Sequence, residues 1–423
     1  MYLISPAFAR VHYHQNCNKM VSQIFATLFF GHMMKKLGSR RIFLLSTAVT
    51  AIFNTSFFVV DLVSGGNLFI MLSVILICLT SLGDAGIFCS NYVLAAKQTK
   101  ELRKREKSGA LGPAIIETMY AAGGMLGPLL GTDDCPQHAQ FHFMCFPGGL
   151  IFRAAGWTGL LLSIGGSGLS FAILSVLAFR KEVTTTPLPI SITGEQATAE
   201  DVPSRVTYLT AITQPLVFIS CVTMVASGMT NTWYLSSLEA HLSITLQLSP
   251  TTTSLVYMCP GLVYTTLTPI VGLLLDQGIP HLLLLLAGTS SNIAGYFLLG
   301  PSNFLPIDPS LVATVVGLLL QGVGISITTI TCLNLMMVTT RANSESGEGI
   351  VTSLWVTCEL AGNYLGSTLG GVADETWGFR EGTTCMIVIE TAILVVLLMT
   401  TTKLHVCDAK VKNIFEFVFT HTP

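Results

Sequence analysis

Charge is scarce in this chain: 10% of its 423 residues are Asp, Glu, Lys or Arg, against 51% hydrophobic residues and a mean hydropathy of +0.66. That leaves too little polar surface to cover a soluble core of this size. The alternating period of an outer-membrane barrel is absent, and so is any basic domain or aromatic-basic interleave that would suit nucleic acid. Outside one short Cys/His stretch, no nucleophile, base and orienting group or metal set stands out, so neither an enzyme nor a cofactor is implied. No apolar signal-peptide region is visible at the start, where histidines and an arginine stand instead. Cysteine is not lacking, but Cys78, Cys221, Cys332 and Cys385 fall inside apolar runs and read as packing residues rather than a disulfide framework. The Asn54–Ser56 sequon also falls inside such a run, where a glycan has no room.

What the chain does have is apolar runs of helical length, so the expected class is an all-α polytopic membrane protein. Eleven spans can be drawn: Val21–Met34, Ile42–Val63, Leu68–Ala95, Ala110–Gly131, Trp157–Phe179, Leu216–Leu235, Thr253–Leu275, His281–Leu299, Leu311–Thr339, Ile350–Gly371 and Thr383–Thr402. Between the fifth and sixth, residues 180–208 are polar and rich in Thr, Pro and Glu, a linker between two bundles at 21–179 and 209–402. Residues 1–20 and 403–423 flank them. Alternate loops hold Lys35, Lys36, Arg40 and Arg41, then Lys97 to Lys107, then Arg180, Lys181 and Arg205, with Arg341 and the tail lysines. The opposite loops hold only Arg153 and Arg380 beside Asp133, Asp134, Asp308, Asp374 and Glu375. The basic set marks the cytoplasmic face and places the C-terminus there.

Within the spans the ionisable groups are acidic, with no Lys or Arg among them. Glu117 lies in Gly109–Gly131, whose second half is rich in glycine and carries Pro128, so that another helix can approach closely. Asp84 lies in the third span and Glu359 in the tenth. A carboxyl at bilayer depth must face a bundle interior or a wet cavity, where it can exchange a proton for an organic cation, or simply pin two helices by hydrogen bonding. Glu390, in the last span, has the second role open to it through a nearby hydroxyl such as a threonine. Cys135, His138, His142 and Cys145 superficially suit zinc, but the spacing is too compact for a structural site, and a non-cytoplasmic loop is the preferred reading. Pro260 and Pro269 with Gly261 and Gly272, and Gly322 with Gly324, are expected to bend their spans.

Two patterns recur six spans apart, as in paired half-repeats. GHMMKKLGSRR (Gly31–Arg41) follows the first span and GLLLDQG (Gly272–Gly278) the seventh; GPLLG (Gly127–Gly131) ends the fourth and GSTLGG (Gly366–Gly371) the tenth. On these the chain resembles the major facilitator superfamily over about Met20 to Leu404. Gly31, Gly38, Arg40 and Arg41, with Gly272 and Asp276 in the second copy, look like its loop signature, which in the family acts as a latch holding one access state. Gly127, Pro128 and Gly131, with Gly366 and Gly370 in the second copy, resemble its antiporter signature. GDA (Gly83–Ala85), ET (Glu117, Thr118) and LLGP (Leu298–Pro301) resemble the vesicular amine and polyamine branch.

That resemblance implies two pseudo-symmetric helical bundles and a monomer that exchanges protons for a small organic cation, an amine or polyamine, by alternating access in a vesicle or other endomembrane, or the plasma membrane. Glu117, Asp84 and Glu359 would line the pathway, with Asn334 and Thr230 as neutral ligands. The bilayer is the other partner. Three departures stand out: Lys35 occupies the acidic position of the first loop signature, the first family helix has no counterpart, and residues 132–148 interrupt the family pattern before GLIFRAAGW (Gly149–Trp157) like a retained intron. Alternatives are a transport-incompetent fragment of such a carrier, an exporter of drugs or other solutes, or a membrane receptor.

Overall fold

The structure, a computed structural model, describes residues 6–61, 67–102, 109–129, 166–177, 206–300 and 310–420, apart from the single positions 167, 236, 249 and 343. Every secondary-structure element in them is a helix: α1 Pro6–Leu37, α2 Ser39–Asp61, α3 Asn67–Leu102, α4 Leu111–Leu129, α5 Gly168–Leu177, α6 Tyr208–Ile212, α7 Pro215–Trp233, α8 Leu238–Thr245, α9 Pro250–Asp276, α10 His281–Leu299, α11 Leu311–Thr340, α12 Glu345–Trp377 and α13 Phe379–Thr420. Six of these, α3, α7, α9, α10, α11 and α13, contain stretches both long and apolar enough to cross a bilayer. The stretch 132–148 with its Cys/His cluster, Gly131 and most of the 180–208 linker lie outside the described residues.

Helix ends follow local chemistry. Ser310 Oγ accepts from Ala313 N at 3.2 Å and Ser344 Oγ from Gly347 N at 3.1 Å, capping α11 and α12. Gly38, the single residue between α1 and α2, has φ +77°, a left-handed turn that glycine makes without a Cβ clash. α1 corrects the expected short first span: it begins at Pro6 rather than Val21. Proline suits a first helical position, and no glycine or further proline follows before Gly31, so the helix continues through the polar residues that hydropathy alone set aside.

Within the first half α3 packs on α1, α2 and α4; within the second, α7 packs on α11 and α12, α9 on α11, and α10 on α11 and α13. Across the halves the contacts are α1 with α12 and α4 with α9, joined by α3 with α12. The six-span offset of the sequence patterns pairs α1 with α9 and α4 with α12, and it therefore exchanges the two main cross-half contacts with one another, as a pseudo-two-fold axis requires. Large apolar side chains such as Phe25, Phe29, Leu45, Ile52, Val312 and Val388 are exposed on the outside, whereas Glu117 and Glu390 are each only 2% exposed. Oil is the matching solvent for that exterior.

Glycines set the closest contacts. Along α12, a Cβ on Gly362 would lie 2.2 Å from the Val225 carbonyl oxygen of α7, one on Gly366 2.6 Å from that of Met229 and one on Gly370 2.4 Å from that of Trp233. The two helices thus meet backbone to backbone, which removes any room for side chains between them.

Candidate functional site

A cavity of about 220 Å³ lies where the halves meet, walled by α4, α7, α9, α11 and α12. A water occupies about 30 Å³, so the space suits a small solute. Two of the predicted carboxyls, Glu117 on α4 and Glu359 on α12, line it together, with Tyr120, Tyr234, Tyr257, Tyr264 and Asn231, and no Lys, Arg or His is among its described lining residues. α9 and α11 close on each other beside it, because a Cβ on Gly322 would stand 2.5 Å from the carbonyl oxygen of Pro260; α9 runs unbroken through Pro260 and Pro269.

Glu117 is the cavity's fixed corner. Tyr92 of α3 donates to its Oε1, and Tyr264 of α9 donates to its Oε2 at 2.7 Å. Tyr92 is itself held edge-on against Trp355 of α12, ring centroids 5.1 Å apart at 73°, and the Trp355 indole N–H donates to the Thr329 carbonyl oxygen at 3.1 Å. α3, α4, α9 and α12 are therefore tied at one carboxylate. The cavity lies on the side of it away from the basic loops: α9 ends at Asp276 on the face that carries them, and the α9 residues in the wall, Tyr257 to Tyr264, precede that end by at least twelve positions, roughly 18 Å of helix.

The other predicted residues stand elsewhere. Asp84 receives Thr50 Oγ1 at 3.4 Å and faces Lys19 Nζ at 3.9 Å. Lys19 lies on α1 sixteen residues, roughly 24 Å of helix, before Lys35, ahead of the first span drawn from hydropathy. A cation already sits at Asp84. Thr230 donates to Glu390 Oε1 at 2.6 Å, and Asn292 Nδ2 lies 3.4 Å from the same oxygen, so this group joins α7, α10 and α13 behind the cavity wall. Asn334 Oδ1 pairs with His281 Nε2 at 2.6 Å at the start of α10, away from the cavity.

Both copies of the loop signature sit at the seam between the halves, on the face that carries the basic loops. In the second, Gly272 presses on α4, where its Cβ would meet Ala114 Cβ at 2.8 Å, and Asp276 Oδ1 accepts from Ala110 N at 3.1 Å at the N-terminus of α4. A carboxylate there meets the unsatisfied N–H groups and positive end of the helix. In the first, Gly31 presses on Ser353 of α12, but Lys35 offers no acceptor. The acid comes instead from the opposite half. Glu345 of α12 accepts from Ser39 N at 2.5 Å and from the Ser39 hydroxyl, at the N-terminus of α2. Partial burial alone would raise the Glu345 carboxyl, but the two Ser39 donors, with Lys97 and Arg40 nearby, outweigh it and hold the group below its ordinary range. Arg41 flanks the same turn, and Gly127 and Pro128 lie on the last turns of α4.

The tyrosines around the cavity, and Tyr92 beneath it, were not singled out in the sequence. The signal was there in principle, since a tyrosine deep in an apolar span needs a hydrogen-bond partner, but nothing in one dimension tells which.

A family model for the Major Facilitator Superfamily matches residues 20–344. Among solved structures, the chain is similar to the human organic anion transporter MFSD10 (TETRAN), with TM-score 0.60 and 16% identity over 91% of this chain and 83% of that one. It is similar also to FucP, a Major Facilitator Superfamily transporter in the outward conformation, with TM-score 0.61 and 12% identity over 94% of this chain and 91% of that one. No curated protein sequence matches it. At those identities the likeness to solved structures speaks to the fold alone.

Proposed function

The chain belongs to the Major Facilitator Superfamily, a family of multi-pass membrane transporters, and on that premise we propose that it exchanges protons for a small organic cation by alternating access. The observation that carries this reading is the pairing of Glu117 and Glu359 in one cavity whose described wall contains no basic side chain. Two carboxyls sharing a poorly hydrated site repel each other when both are ionised, and either a proton or an ammonium group relieves that repulsion. The two cations compete for the same place, which is the basis of antiport. Tyr120, Tyr234, Tyr257 and Tyr264 add ring faces that favour an alkylammonium or other soft cation over a hydrated metal ion. An organic anion would meet two carboxyls and no described countercharge there. An amine or polyamine is the substrate class this chemistry fits best, and a vesicle or other endomembrane with an acidic lumen is the setting that would drive it.

The test is uptake of a panel of radiolabelled amines and organic anions into proteoliposomes with an imposed acid interior. Amine uptake driven by the gradient, lost in both Glu117→Gln and Glu359→Gln, is the expected result. Uptake of anions in preference to amines, or unchanged amine uptake in both variants, overturns the reading.

A further inference from the structure

Glu117 belongs to the cavity, but its two hydrogen-bond donors belong to different halves of the protein. Tyr92 is on α3 of the first half, with Glu117; Tyr264 is on α9 of the second. The titratable groups around it are Tyr92 on α3, Tyr264 on α9, Tyr120 on α4 itself and Glu359 on α12, and no Lys, Arg or His is among its described partners. An ionised carboxyl is acceptor-only and can take both hydroxyls at once; a protonated one brings an O–H donor of its own. With a proton on Oε2 the carboxyl donates to the Tyr264 oxygen instead, so the contact reverses direction and loses the charge assistance that made it strong.

We propose that the Tyr264–Glu117 hydrogen bond is the coupling element of the transporter, a tether across the two halves that is charge-assisted and strong when Glu117 is ionised and weakened to a neutral contact when it is protonated. The inference rests on the proton-exchange reading above and assigns Tyr264 as a positioning residue in it. The weakening falls on Tyr264 rather than Tyr92 because Tyr92 is 1% exposed and wedged against Trp355, whereas Tyr264 lines the open cavity and is only partly buried. The proton reaches Oε2 from the cavity, Tyr264 keeps its own proton, and the bond between them becomes a neutral one that the two halves can break more easily. With the basic loops on the cytoplasmic face, the cavity lies on the far side of this joint, and weakening the joint loosens the cytoplasmic closure. A proton arriving from an acidic lumen thus favours opening on the opposite face, which is the sense an antiporter driven by that gradient requires.

The experiment needs no substrate. Met34, buried on α1 against Gly349 of α12 at the cytoplasmic seam, is replaced by Cys, and its labelling by a membrane-impermeant maleimide applied from the cytoplasmic face is followed while the lumenal pH is lowered. The parent should label about tenfold faster at acid lumenal pH, the difference between a charge-assisted hydrogen bond and a neutral one. Tyr264→Phe, which keeps the ring, should label fast at every pH, Glu117→Gln likewise, and Tyr92→Phe should keep the pH response. A Tyr264→Phe variant with the parent's pH response overturns the tether while leaving proton exchange standing. Glu117→Gln with the parent's pH response overturns the tether and also removes Glu117 from the proton exchange. Should Tyr264→Phe fail to fold, Glu117→Gln against Tyr92→Phe still decides, because a purely structural joint would lose its pH response equally in the two.

Discussion

Removing the Glu345 carboxylate tests whether the missing acid of the first loop signature is supplied from the opposite half. In Glu345→Ala, Ser39 loses the acceptor for both its N–H and its hydroxyl. A carboxylate at a helix N-terminus contributes about 1–2 kcal/mol, and since Glu345 is only half-buried the lower end applies, about 1 kcal/mol. If that contact exists only when the cytoplasmic face is closed, its loss shifts the closed-to-open ratio about fivefold. Asp276→Ala removes a more deeply buried carboxylate that accepts from Ala110 N at 3.1 Å, and at least a similar factor is expected. The two contacts cap different helices, α2 and α4, so with additive effects the double variant should shift the ratio at least about 25-fold. The readout is maleimide labelling of Met34→Cys from the cytoplasmic face at fixed neutral pH. The latch should also be indifferent to pH in the neutral range. A group held below its ordinary value contributes fully above that value and loses its contribution only as the pH falls through the depressed one, far into acid. Wild-type labelling in Glu345→Ala with increased labelling in Asp276→Ala would refute the substitution of one acid for the other. A strong response to pH near neutrality in the parent that disappears in Glu345→Ala would refute the sign of the shift.

Two further outcomes concern packing and buried polar groups. Gly366→Leu should lower the melting temperature in detergent more than Gly366→Ala, because even the first added carbon meets the Met229 carbonyl at 2.6 Å and overpacking of this kind costs about 1–3 kcal/mol. Thr230→Ala strips Glu390 of its 2.6 Å donor inside the second half and should destabilise by about 1–3 kcal/mol by the same melting assay, with gradient-driven uptake retained in the fraction that folds.

The helical class and the paired halves were legible because lipid imposes them locally: each span must satisfy its own backbone, and the recurring glycine patterns mark where backbones touch. Gly366 and Gly370 could be picked from the sequence for that reason, and they do meet α7. Partnership is another matter, because it is decided across the bundle. Asp84, Glu117, Glu359 and Glu390 look alike along the chain as acids in apolar spans. Folding places one against Lys19, two on a shared cavity and the last under Thr230. Lys19 itself escaped notice because hydropathy begins the span at Val21, while α1 runs back to Pro6 with no glycine or further proline to stop it. Lys35 makes the sharpest case. Read in one dimension, a lysine at the acidic position of the signature breaks the latch. What the seam requires, however, is a carboxylate at a buried helix N-terminus, and the side of the seam that supplies it is free. In the second copy the acid is Asp276, on the helix that ends there, and it caps α4; in the first it is Glu345, on the helix that begins there, and it caps α2. The electrostatic demand is met at both corners with the polarity of one reversed, so the departure at Lys35 relocates the acid of the signature rather than removing it.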